Sequence, residues 1–209
     1  MAKPYLSVII PDSRKLEQLP LTLVDVDKRL FNQEYSYEII VVNDGNAPKV
    51  GELIKNLKAA SFSQDNLSSM IQLANGIAKG NWRLIFDPQN QVPVSEFNKI
   101  ASRGANEYEV FIGVPRSGNF ICLSEAAAQQ ILPLAKSSRW ILNYEIEKIA
   151  SGLGYKIKKM PVIYSRKTSR FSSPKELWFD LGELIKVYWR LRRGKSMFNK
   201  KISSNHPQV

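Results

Sequence analysis

The sequence predicts an α/β domain built on a mostly parallel sheet flanked by helices, and three observations predict it. Short apolar runs alternate with stretches of helical periodicity. Several of the runs stop at turn residues, as at Pro11-Asp12, Asn43-Asp44-Gly45 and Asp87-Pro88. The chain has 209 residues, 44% of them hydrophobic, which suits one compact domain with a sizeable core.

In chain order, YLSVII (5–10) predicts a strand that Pro11 stops, and apolar spacing from Leu16 to Phe31 predicts a helix. YEIIVV (37–42) predicts the second strand. A helix is expected from Pro48 to Ala59, with a short strand near Ser61. Asn66 to Ala78 predicts a helix closed by Gly80, followed by a strand over Trp82 to Phe86. Val94 to Arg103 predicts a helix, while 108–113 and 119–123 predict strands. Ser124 is placed to cap a helix over 124–132. Trp140 to Leu153 predicts a helix ended by Gly154, and Tyr155 to Tyr164 a strand interrupted by Pro161.

Composition excludes several classes. No apolar run approaches the roughly 20 residues that span a bilayer, and MAKPYLSVII lacks the pattern of a signal peptide. The lone Cys122 excludes an internal disulfide, suits a reducing, cytoplasmic setting, and in its apolar context FICL reads as a buried, inert thiol. The lone His206 has no Cys or His partner for a structural zinc site. The formal charge of +11 points to a phosphate-bearing partner. No recognised nucleic-acid motif is present, so nucleotide or anionic lipid is favoured over nucleic acid.

In open α/β sheets ligands bind beyond the carboxyl ends of the strands. Pro11 with Asp12, Asp44 and Asp87 stand there, so three acids are expected on one edge. Each is equally a residue type that turns favour.

The ordered set of segments resembles the family 2 glycosyltransferases with a GT-A fold, nearest to their dolichol-phosphate mannosyltransferase-like branch. The resemblance runs over roughly 5–192. SVIIP (7–11) looks like the family's first strand, and EIIVVNDG (38–45) like its second strand and nucleotide-binding turn. NLSSMIQLANGIAKGNW (66–82) looks like the helix before its central strand. DPQNQVP (87–93) is similar to its Asp-x-Asp-x-Gln-x-x-Pro segment, less one acid and one spacer residue. SGNF (117–120) and WILNYEIEKIASGLGYKIKKMPVIY (140–164) look like a later turn, helix and strand. The resemblance implies transfer of a sugar from a nucleotide diphosphate donor, often to a polyprenyl phosphate. A Mg or Mn ion between two carboxylates then stabilises the departing diphosphate. It also implies that Asp44 accepts from the base, that Asp12 lies beside the ribose, and that a loop resembling SRKTSRF (165–171) closes Arg166, Ser169 and Arg170 over the phosphates.

The departures from the pattern are electrostatic. Gln89 stands at the second metal-binding acid, leaving Asp87 with the amides of Gln89, Asn90 and Gln91. At about 4 Å a carboxylate and a divalent ion attract by several kcal/mol even at an effective dielectric near 20. The expected metal is therefore Mg or Mn held weakly, through Asp87, Gln89 and Gln91, or not at all. Arg14 and Lys15 replace an Asn-Glu pair, Asn81 and Asn143 replace acids, Ser68 replaces a glycine, and Glu145 is retained. The family's acceptor loop of a few dozen residues shrinks here to Val114, Pro115 and Arg116. No catalytic residue is assigned; Arg116 and Glu145 are the candidates.

SPKELWFDLGELIKVYWRLRRGK (173–195) begins with a capping box, Ser173 and Glu176, and with Pro174 at the first helical position. Leu177, Leu181, Leu184, Ile185, Tyr188, Trp189 and Leu191 share one broad face, and Glu183, Lys186, Arg190 and Arg193 the other. Such a helix suits either an anionic membrane interface or packing on the domain.

A GT-A-like domain is expected over 1–172, a basic amphipathic helix over 173–194 and a disordered tail over 195–209. The expected function is that of a catalytically impaired family 2 glycosyltransferase-like protein. It would keep a nucleotide or nucleotide-sugar site and associate with a membrane surface from the cytoplasm. Two alternatives stand beside it: an active transferase, and an interaction module on the same fold.

Overall fold

The structure, a computed structural model, describes residues 3–11, 19–43, 57–61, 67–86, 97–98, 100, 107–114, 120–137, 141–162, 178 and 181–192. The strands are β1 Leu6–Pro11, β2 Tyr37–Asn43, β3 Leu57–Ser61, β4 Trp82–Phe86, β5 Val110–Val114, β6 Phe120–Ser124 and β7 Ile157–Pro161. The helices are α1 Leu19–Phe31, α2 Leu67–Ile77, α3 Glu125–Ile131, α4 Ile141–Gly152 and α5 181–192, with a 3₁₀ turn at Leu132–Leu134 after α3. Residues 97, 98 and 100 are also helical.

These strands form one sheet in the order β3-β2-β1-β4-β6-β5-β7. The pairs β1–β2, β1–β4, β2–β3 and β5–β7 are parallel, whereas β6 runs antiparallel to both β4 and β5. All six residues of β1 are buried. A strand covered on both faces reads as an unbroken apolar run, which LSVIIP does. Successive side chains divide between the two faces. Val8, Ile10, Ile39, Val41 and Leu84 pack with Leu23, Val26 and Leu30 of α1. Ile9, Ile40, Val42 and Ile85 pack with Met70 and Ile71 of α2 and Ile146 and Ile149 of α4.

Helix and strand signals in the sequence agree with these elements, with one correction. The helix expected to reach Ala59 does not, because 57–61 is β3, paired in register from Ile39↔Leu57 to Asn43↔Ser61. Lys-Ala-Ala has good helix propensity, but the open edge of β2 offers a full ladder of backbone partners, and the ladder prevails. Ser124 caps α3 as expected, its hydroxyl accepting from the Ala127 amide at 3.3 Å. Gly154, at φ 81°, ends α4 in the left-handed region that glycine enters without steric cost. Pro161 closes β7 at the sheet margin, where a missing N–H is tolerated. Cys122 is fully buried, and that burial pushes its thiol pKa well up, in keeping with an inert core residue. His206 and the tail 195–209 lie outside the described residues.

Candidate functional site

β2, β1 and β4 are neighbours and all parallel, with Pro11 opposite Val42 and Ile9 opposite both Ile40 and Ile85. They therefore finish at one edge of the sheet, at Pro11, Asn43 and Phe86, and the chain runs on directly into Asp12, Asp44 and Asp87. Two antiparallel steps, β4–β6 and β6–β5, turn β5 back to the direction of β4, and β7 is parallel to β5. The connection holding Arg116 and the segment leading to Arg166, Ser169 and Arg170 thus leave the same edge, from Val114 and Pro161. Asp12, Arg14, Lys15, Asp44, Asp87, Gln89, Gln91, Arg116, Arg166, Ser169 and Arg170 themselves lie outside the described residues. Of the named nucleotide-site residues, Pro11 is described, and it is buried at the end of β1.

The topology also explains how a short acceptor segment is possible. β5 and β6 are adjacent and antiparallel, so 115–119 need only turn the chain back on itself. Antiparallel neighbours close with a few residues, whereas a parallel crossover needs a dozen or more.

Glu145 is placed differently. It lies on α4, fully buried, on the α2 and α4 side of the sheet. One carboxylate oxygen accepts from the backbone amides of Lys136 at 2.9 Å and Ser137 at 2.8 Å. The other pairs with the guanidinium of Arg190 on α5. A carboxylate this deep is costly unless it is hydrogen-bonded and paired, and here it is both. Its surroundings give it the geometry of an anchor between α4, the segment after the 3₁₀ turn, and α5. Asn143, two residues before it, is also fully buried.

Sequence patterns did not mark the buried polar groups at the opposite, amino end of the strands. Glu38 of β2 accepts from the Ser7 hydroxyl at 2.7 Å and the Lys79 amide at 2.6 Å, and the Gly80 amide donates to Ser7 at 2.8 Å. Arg83 is 1% exposed and donates to the Ala78 carbonyl at 3.0 Å and to Glu125 at 3.4 Å. Burial lowers its pKa, and the nearby Glu125 carboxylate opposes that shift. A single charge inside an otherwise unbroken apolar run, as in WRLIF, is the sequence signal that could have marked Arg83. Helical periodicity puts Arg190 on the polar face of the terminal helix, where an Arg beside Glu183 and Lys186 gives no hint of a partner 45 residues upstream.

Among the described residues no group of three or more His, Cys, Asp or Glu is placed to hold a metal ion. The candidate set Asp87, Gln89 and Gln91 offers one carboxylate and two amides. That set carries one negative charge, which fits a hard divalent ion poorly.

No family model and no curated protein sequence matches the chain. Solved structures do. The mannosyltransferase PcManGT from Pyrobaculum calidifontis, in complex with GDP-Man and Mn2+, superposes with a TM-score of 0.64 at 12% identity, over 96% of this chain and 69% of that one. The S. aureus TarS fragment 1–349 gives 0.53 at 16% identity over 75% of this chain, which spans 58% of that fragment's length. The 4-diphosphocytidyl-2C-methyl-D-erythritol synthase of Anaerococcus prevotii gives 0.58 at 12% identity, over 85% and 94%. At such identities the likeness establishes the fold alone, a GT-A fold. Glycosyltransferases and a protein of another name share it, so the chemistry has to be argued from the site.

Proposed function

We propose that the chain is a family 2 glycosyltransferase-like protein of the dolichol-phosphate mannosyltransferase-like branch that has kept a nucleotide or nucleotide-sugar site and lost its strong metal grip. One observation carries this: three adjacent parallel strands direct the segments of Asp12, Asp44 and Asp87 to one edge, and the third segment continues with Gln89 where a second acid is needed. Asp44 accepts from the base, Pro11 and Asp12 border the ribose, and Arg166, Ser169 and Arg170 approach the phosphates. Without a second carboxylate the departing diphosphate lacks its usual stabilisation, and without the long acceptor loop the acceptor lacks its usual base. The protein works at an anionic membrane surface through its terminal helix.

Titration calorimetry with UDP and GDP, with and without Mn, tests this. One nucleotide should bind, and Mn should change its affinity less than about threefold, whereas Gln89→Asp should raise Mn-dependent affinity about tenfold. Strong Mn-dependent binding by the unaltered chain, with sugar turnover, would overturn the impaired reading. Binding of neither nucleotide would leave a fold without its site.

A further inference from the structure

The described residues of the terminal helix present two opposed faces. Val187 is fully buried, Leu191 packs on the core beside α2 and α4, and Arg190 pairs with the buried Glu145. At 100° per residue these lie together on the inner side. Trp178, Leu181, Ile185, Tyr188 and Trp189 fall on the other side, between 49% and 75% exposed. Their spacing of three or four residues makes one stripe along the helix. Tyr188 and Trp189 meet edge to face at 6.2 Å, and the Arg192 guanidinium lies 5.9 Å from the Trp189 ring.

We infer that this stripe is the docking face for an anionic lipid surface, while Glu145 and Arg190 fasten the helix's other side to the domain. The inference deepens the membrane part of the function proposed above and does not depend on the nucleotide site. Packing on the domain and lying on a membrane are thus simultaneous uses of one helix.

Charge decides the occupant. From Lys186 to Lys201 the sequence holds six cations besides Arg190, which Glu145 engages, and no carboxylate. A second copy of the helix laid on this stripe would bring like charges together. A leaflet containing phosphatidylserine complements them instead, each cation near it favouring binding roughly fivefold. Three of the five stripe residues are Trp or Tyr, whose apolar rings with polar tips suit headgroup depth. No described helix is long and apolar enough to cross a membrane, so contact is by lying on the surface.

Vesicle co-sedimentation of the full chain tests the assignment, with phosphatidylcholine alone against phosphatidylcholine plus phosphatidylserine. The chain should sediment with the anionic vesicles alone. The double substitution Leu181→Glu with Ile185→Glu should weaken that binding about tenfold or more, with melting and nucleotide titration unchanged. Trp189→Ala, a gentler change, should weaken it in the same direction. Equal binding by both variants would remove the stripe from the account and leave the membrane reading standing. No binding by the unaltered chain would remove both, whatever the nucleotide titration shows. Self-association in solution abolished by the same substitutions would make the stripe a seam between two copies. Loss of vesicle binding on adding a short RNA, with the stripe variants binding that RNA normally, would make the cations a nucleic-acid surface.

Discussion

Two buried glutamates divide the molecule into halves with different construction. Glu38 belongs to the parallel half, β3-β2-β1-β4, and joins β1 to the turn between α2 and β4 through Ser7 and the Lys79 amide. Those contacts tie together neighbouring strands and the crossover between them. Glu145 belongs to the other half, where β6 reverses the sheet, and one of its oxygens reaches out to Arg190 on the terminal helix. Both carboxylates are buried and both accept from backbone amides. The comparison teaches that the parallel half is stitched by a local polar network, whereas the second half depends on an element distant in sequence.

The largest effect is expected where that dependence is cut. Glu145→Ala leaves the Lys136 and Ser137 amides and Arg190 without their acceptor, and should cost about 3–5 kcal/mol in urea unfolding. Trypsin should then cleave near Arg190 faster than in the unaltered chain. A loss below about 1 kcal/mol with unchanged proteolysis would show that α5 is held by its apolar contacts, Val187 and Leu191.

In the parallel half the matching test is Gly80→Ala. A Cβ there would lie 2.6 Å from the Ser7 amide nitrogen and 2.7 Å from its hydroxyl. The overpacking should cost about 1–3 kcal/mol, without the change in cleavage near Arg190 that marks the other half. Accelerated cleavage in this variant would mean that the two halves unfold as one unit.

The smallest effect concerns the bridge between them. Glu125 opens α3, and its carboxyl is held below the usual range by hydrogen bonding from Lys3 and by the Arg83 charge, with burial opposing. A lowered carboxylate pKa stabilises the fold above the unfolded value, and the gain disappears as pH falls through the folded one. Glu125→Gln should therefore lower the melting temperature slightly at neutral pH, and the difference should shrink as pH falls below the usual carboxylate range. A difference that persists undiminished in acid would place the effect in packing and not in charge. Lys3 is exposed, so screening by salt should shrink the effect further.

How far the sequence could be read follows from the range of each interaction. Strands such as LSVIIP and YEIIVV declare themselves because burial on both faces demands unbroken apolar runs, and the Ser124 cap and Gly154 stop are local chemistry within a few residues. The substitution of Gln89 for an acid and the shortness of 114–116 are visible in the sequence itself. The strand expected near Ser61 is β3, but it begins at Leu57, inside the stretch that helical spacing carries to Ala59, because a strand at that position is decided by the neighbour β2. The face of the terminal helix that meets the domain was also illegible. Hydrophobic periodicity put Leu191 on one face with the aromatic stripe and left Val187 and Arg190 off it, yet Val187, Leu191 and the ion pair of Arg190 are what the domain buries.

By itself the sequence determined the α/β rhythm, the single acid at the end of the central strand and the concentration of cations near the carboxyl terminus. Tertiary structure alone decided that β6 lies antiparallel between β4 and β5, that Glu145 is buried against backbone amides, and that the terminal helix turns its aromatic side outward. The reason is physical: periodicity, capping and charge act within a turn or two of chain. Strand neighbours, and the partner that a buried carboxylate requires, are settled by contacts between residues tens of positions apart.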